Sequence, residues 1–221
     1  MNDSRKPQTL EALFKLFAAH PWHGIGIGPE APHRVTAFIE ITPVDTVKYE
    51  LDKSSGRLKV DRPQKYSNQS PTLYGLIPQT YCGAGIGALC SERTGRSGIV
   101  GDGDPLDICV LAERSVLHGN VLLQAVPIGG LRMIDGGEAD DKIVAVMSGD
   151  PAFGSLCEIG DVPSTFIDRL RHYFLTYKQH PDQTASHAEI TDVYGRDEAH
   201  EVIQRARQDY RAAFPELQGL L

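Results

Sequence analysis

A chain of 221 residues suffices for one large domain or two small ones and can bury a substantial core. With 41% hydrophobic and 23% charged residues, and no apolar run approaching bilayer length, the composition excludes a membrane-spanning chain and points to a soluble globular one. Carboxylates outnumber Lys and Arg by 29 to 22, a formal charge of −7 with no strongly basic stretch, which argues against a nucleic-acid partner and makes bound cations the natural bridge to any anionic substrate.

The first six residues are polar and lead into an amphipathic segment, not the apolar core of a secretory signal, so no export is expected. Residues 8–20 carry Leu10, Leu13, Phe14, Phe17 and Ala18 at helical spacing and stop before Pro21. Strands are predicted over 34–41 and 47–51 from alternating apolar residues and are expected to pair as a hairpin, followed by a turn at 52–56 and a short strand at 57–61. Residues 75–103, rich in Gly and small polar residues, read as a long excursion from the sheet, with an inserted loop over 81–101. Strands resume at 106–111, 121–128, 131–134 and 142–147, and helices are predicted at 163–179 and 196–214. The pattern is that of a single α+β domain over 1–221, with a lead-in over 1–30, a C-terminal helix within 195–221, and an antiparallel sheet or small barrel at its centre.

Three carboxylates crowd into Asp102-Gly103-Asp104-Pro105-Leu106-Asp107, and holding them together costs free energy unless cations or donors compensate. Pro105 pushes Asp104 towards extended geometry, and Leu106, Ile108 and Val110 alternate inward, which mounts the acidic turn on the lip of a buried strand. Taken alone, this segment is as compatible with an acidic surface turn as with a metal site. A second acidic cluster, Asp135 through Lys142, lies between apolar strands; a polar hairpin loop is its plain reading, and a shared metal-filled cleft is favoured only by the two clusters together. In the predicted hairpin, Glu40, Lys48 and Glu50 fall on the face opposite Val35, Ala37, Ile39, Val47, Tyr49 and Leu51. Arg62, Tyr74 and Lys178 are ordinary surface residues when taken singly, and Tyr177 continues an apolar helical stripe.

Read together, these segments closely resemble the soluble family I inorganic pyrophosphatases. The resemblance rests on the 102–107 motif with its flanks: Val47-Lys48-Tyr49-Glu50-Leu51-Asp52, Val60-Asp61-Arg62, Tyr74-Gly75-Leu76-Ile77-Pro78-Gln79-Thr80, Ile134-Asp135 through Lys142, and Tyr177-Lys178. It covers roughly residues 21–180. His20-Pro21-Trp22-His23 and the insertion between Thr80 and Gly101 look more like the eukaryotic branch, which implies a dimer, than the compact bacterial one, which implies a hexamer; the choice stays open. The resemblance implies a small five-stranded OB-like antiparallel β-barrel with flanking helices, and hydrolysis of pyrophosphate to two phosphates in the cytoplasm with several Mg²⁺ ions per site. It implies Asp102, Asp107 and Asp140 as metal ligands, with Asp135 and Glu40 holding further metal, and Asp104 as general base. Lys48, Arg62, Lys142, Tyr177 and Lys178 would hold the phosphates, and Glu50 and Tyr74 would support them. Ser70, where the family usually has tyrosine, and Gly136, where it usually has glutamate, depart from the pattern; altered affinity or pH dependence is expected from them. They motivate the alternative of a pyrophosphatase-like protein that binds metal or phosphate without efficient turnover.

Other readings are weaker. Gly24 to Gly28 and Gly83 to Gly87 could suggest a nucleotide loop, but neither is expected to open a helix and no Gly-Lys-Ser/Thr follows. The histidines are too scattered for a zinc site, and the four cysteines lack Cys-x-x-Cys spacing and are expected to be reduced.

Overall fold

The structure, a computed structural model, describes residues 19–179, 182 and 187–217. The helix expected over 8–20 therefore lies outside the described residues except for Ala19 and His20, which are not helical. In chain order the elements are β1 (Val35–Ile41), β2 (Val47–Leu51), β3 (Leu58–Pro63), β4 (Leu73–Leu76), α1 (Ala84–Thr94), β5 (Val100–Gly101), β6 (Asp107–Leu111) and β7 (Val121–Asp135). There follow β8 (Glu138–Ala139), β9 (Lys142–Met147), α2 (Ser164–Thr176), β10 (Ala188–Gly195) and α3 (Arg196–Ala213). Among the described residues no helix is long and apolar enough to cross a membrane.

Five strands close on themselves. The sheet runs β1-β4-β6-β9-β7, and β7 returns to pair with β1 through Val35↔Ala125 to Ile39↔Val121. The expected OB-like barrel is therefore present, with one difference: β6 and β9 run parallel, Asp107 opposite Lys142 through Leu111 opposite Val146, while the other ladders of the ring are antiparallel. The long intervening excursion through β7 gives the chain the crossover that a parallel pair requires.

Closure explains two departures from the sequence reading. The hairpin expected between 34–41 and 47–51 does not form; β2 pairs with β3 instead. All seven residues of β1 are buried and both its edges are taken, by β4 and β7, so no edge is left for β2. The strands expected at 121–128 and 131–134 are one fifteen-residue strand, β7, with a register shift between Pro127 and Gly129. Pro127 cannot donate to the ladder, and Gly130 lies against the Tyr194 ring, where an added Cβ would stand 2.5 Å from ring atoms.

The barrel interior holds Val35, Ala37, Ile39, Leu73, Ile108, Val110, Ala125, Ile143 and Ala145. Alternate residues of the same strands, Cys109, Leu111, Val144 and Val146, pack outward under α2 against Leu170 and Phe174. β6 and β9 are thus buried on both faces, as their continuous apolar runs require.

The excursion over 81–101 contains α1, where a loop was expected. Two things make the helix: Ile86, Leu89 and Cys90 bury into the core, and Asp209 of α3 accepts hydrogen bonds from the backbone amides of Gly83 (3.1 Å), Gly85 (3.0 Å) and Ile86 (3.0 Å). A carboxylate supplied from more than a hundred residues away satisfies donors that no local cap does, so local sequence carries no sign of it.

Candidate active site

The acidic turn before β6 is held from behind. Cys82 N donates to Asp104 O (2.8 Å), Gly103 N to Cys82 O (3.0 Å), and Leu106 N to Thr80 Oγ1 (2.9 Å), while Asp104 N closes onto Asp102 Oδ1 (2.9 Å). Gly103 takes φ +77°, a left-handed conformation that glycine adopts without strain. The parallel rung Asp107↔Lys142 brings the second acidic segment alongside, and the Lys142 ammonium bridges the carboxylates of Asp107 and Asp140. Tyr74, on β4, donates to Asp107 Oδ2 (2.5 Å).

The other walls come from three further elements. Glu40 on β1 accepts from Leu51 N (2.7 Å), which ties the β2–β3 hairpin to the barrel. On that hairpin Lys48 lies 3.5 Å from Glu50 and 3.1 Å from Asp61. The end of α2 delivers Tyr177 and Lys178, the latter 2.5 Å from Asp135. Together these enclose a cavity of about 220 Å³.

Its charge is unbalanced. Eight carboxylates line it (Glu40, Glu50, Asp102, Asp104, Asp107, Asp135, Glu138 and Asp140) against four lysines (Lys48, Lys53, Lys142 and Lys178). Burial, then the Asp107 charge, pushes Glu40 up to about 8. Burial, then Asp140 and Asp107, pushes Asp102 up to about 8, and burial raises Asp140. Burial works against the Lys142 ammonium, yet Asp107 and Asp140 hold its proton on, above the ordinary lysine range. A protein keeps so many carboxylates in one partly buried space when cations are to enter it. Among the described residues no three His, Cys, Asp or Glu groups converge on one point; the carboxylates turn onto lysines instead.

Every residue assigned a role in the site from the sequence lines this cavity except Arg62. Arg62 pairs with Asp61 and lies across the β2–β3 ladder from Lys48, its guanidinium 5.8 Å from the centre of the Tyr177 ring. Neither departure from the family pattern reaches the cavity lining. Ser70 is buried and donates to Thr72 O (2.8 Å), and Gly136 occupies the β7–β8 turn at φ +61° with open space around it. Sequence reasoning missed Lys53 and Glu138. Lys53 sat inside a segment read only as a turn, and Glu138 inside an acidic cluster whose members could not be ranked by spacing.

The glycines at 83–87 do open a helix, contrary to expectation, but its first amides are occupied by Asp209, which leaves no cradle for a phosphate.

A closed OB-like barrel whose mouth gathers eight carboxylates, four lysines and buried tyrosines defines an enzyme that brings cations and an oxyanion together. The chain belongs to the inorganic pyrophosphatase family, whose model matches residues 37–211. It is 52% identical over 199 residues to the inorganic pyrophosphatase of Chlamydia caviae, covering 88% of this chain and 92% of that one. To soluble inorganic pyrophosphatase 3 of Arabidopsis thaliana it is 38% identical over 193 residues, 87% of this chain and 79% of the other. The crystal structure of inorganic pyrophosphatase from Thermus thermophilus superposes with a TM-score of 0.73 at 28% identity, over 88% of this chain and 99% of that one.

Proposed function

We infer that this chain hydrolyses inorganic pyrophosphate to two phosphates, with Asp104 as general base and Mg²⁺ ions held by Asp102, Asp107 and Asp140, and further metal by Asp135 and Glu40. The observation that carries the reading is the charge imbalance of the cleft, eight carboxylates to four lysines, at the place where the family motif lies. Hard oxygen donors in this number suit Mg²⁺. When bound, such ions lower the pKa of an attacking water and offset the charge of the substrate.

The chain's own residues do the rest. Asp104, part exposed at the lip, accepts the proton of the attacking water. Lys48, Lys142, Lys178 and Tyr177, which line the cavity, and Arg62, across the β2–β3 ladder from Lys48, hold the two phosphoryl groups in line, with Glu50 and Tyr74 fixing Lys48 and Asp107. Positioning and electrostatic stabilisation suffice for phosphoryl transfer, so no phosphoenzyme is needed.

The four cysteines are free, three of them buried, which suits a reducing cytoplasm. Assembly as a homo-oligomer, dimer or hexamer, follows from the family resemblance. The test is phosphate release from pyrophosphate by the purified protein with Mg²⁺. Turnover that needs Mg²⁺ and is lost by about 100-fold or more in Asp104→Asn, with Mg²⁺ binding retained, is the expected result. Binding of Mg²⁺ and pyrophosphate without turnover in the unaltered protein would refute it.

A further inference from the structure

One lysine of the cleft belongs to none of the roles above. Lys53 sits at the tip of the β2–β3 hairpin, and its ammonium pairs with Oδ1 of Asp104. Both side chains are more than two-fifths exposed, so the pair adds little to stability. Its support is nevertheless elaborate.

The tip is shaped by Asp52, whose Oδ1 accepts from Ser54 Oγ (2.7 Å) and Ser55 N (2.9 Å), with Gly56 N returning to Asp52 O (2.9 Å). The Lys53 carbonyl is held by His20 Nε2 at 3.2 Å. His20 Nδ1 faces the amides of Trp22 (3.2 Å) and His23 (3.4 Å) and so serves as acceptor, which assigns the ring proton to Nε2, the atom that meets Lys53 O. Gly56, at φ +68°, lies flat against this imidazole: an added Cβ would stand 2.7 Å from its Cδ2.

The same segment supports Asp104. Trp22, buried, donates through Nε1 to Thr80 O (2.7 Å), and Thr80 Oγ1 receives Leu106 N, two residues beyond Asp104. One anchored stretch, 20–22 with Thr80, thus fixes both the lysine's loop and the aspartate's turn. The two partners of an exposed ion pair are aimed from a common base.

We propose that Lys53 is a positioning residue for the hydrolytic step: its ammonium holds Oδ1 of Asp104 and leaves Oδ2 for the proton of the attacking water. The inference rests on Asp104 being the general base. It predicts an effect on the chemical step and little on substrate capture, because Lys53 acts through a carboxylate and does not hold phosphate.

The experiment compares steady-state phosphate release with Mg²⁺ and pyrophosphate for the wild type, Lys53→Met, Lys53→Arg, Asp104→Asn and the Met/Asn double variant, each checked by thermal melting. Lys53→Met is expected to lower kcat about 10-fold to 30-fold with KM within about twofold, a fraction of what a general base contributes. Lys53→Arg should recover kcat to within about threefold of wild type, since it keeps the charge within reach. The double variant should be no slower than Asp104→Asn alone, because a residue acting through Asp104 has nothing left to position.

Unchanged kcat in Lys53→Met, beside a disabled Asp104→Asn, overturns the inference and spares the general base. A raised KM with kcat kept overturns it by making Lys53 a phosphate ligand, and a multiplicative loss in the double variant overturns it by making Lys53 act alone. Full turnover in Asp104→Asn removes the base assignment and this inference with it. Should Lys53→Met fail to purify, Lys53→Gln takes its place in every comparison.

Discussion

Replacing Asp209 tests whether the excursion over 81–101 is built from the far end of the chain. Its carboxylate accepts three backbone amides at 3.0 to 3.1 Å, from Gly83, Gly85 and Ile86. Hydrogen bonds to a charged acceptor are worth about 1.5 kcal/mol or more when buried, and the favourable interaction with a helix N-terminus adds about 0.5 kcal/mol. Because the site is only part-buried, water recovers some of this, and Asp209→Ala should cost about 2–4 kcal/mol. Asp209→Asn keeps one acceptor oxygen and should cost about half as much. For a protein of this size the Ala variant should melt roughly 5–15 °C lower. Hydrogen exchange should locate the loss: the amides of Gly83, Gly85 and Ile86 should lose protection first. Because Cys82 N and O hold Asp104 and Gly103, turnover should fall in parallel. An Ala variant within about 0.5 kcal/mol of wild type in urea melts, with unchanged exchange at those amides, would refute the reasoning.

Lys142→Met leaves Asp107 and Asp140 without their shared ammonium, in a place where Lys142 is 2% exposed. Phosphate release should fall by more than about 100-fold, and the melting temperature in chelator should drop as expected from about 3 kcal/mol, with Mg²⁺ restoring more of it than it adds to wild type. Gly75→Ala would set a Cβ 1.9 Å from Phe38 O, so the β1–β4 ladder must part; soluble yield should collapse, and a variant that melts normally would contradict the register. Burial works against the charge of Asp150, yet amide donors from Glu113, Phe153 and Ala152 hold its carboxyl below the ordinary aspartate range. A depressed folded pKa stabilises above the unfolded value and ceases to do so as pH falls through the folded one. Asp150→Asn should therefore be about 1 kcal/mol less stable near neutral pH, with the gap closing only in the acid limb below about pH 4. Equilibrium urea melts across that range measure it; a gap that widens on acidification would reverse the assignment.

The site was legible largely because its chemistry is dense. Asp102, Asp104 and Asp107 fall within six residues, and continuous apolar runs marked β6 and β9 as strands, but not their direction: an antiparallel sheet was expected, and the parallel rung that joins Asp107 to Lys142 emerges only in the fold. What escaped depends on distant partners. Nothing near Gly83 announces Asp209, and alternation in residues 34–51 cannot reveal that both edges of β1 are claimed by strands from elsewhere. Lys53 escaped for a related reason: a lysine in a five-residue turn looks solvent-facing until the turn is folded over Asp104.

Closure of the ring also has a cost in time. Val35 meets Ala125, ninety residues later, so β1 leaves the ribosome long before its second partner exists. At ordinary rates of synthesis that interval is roughly 5–20 s. Through it a strand with five apolar residues in seven waits with one open edge, exposed to any other β-strand nearby. The folded enzyme shows no sign of this exposure, yet nascent chains released too early, or truncated before residue 121, should be the ones that aggregate.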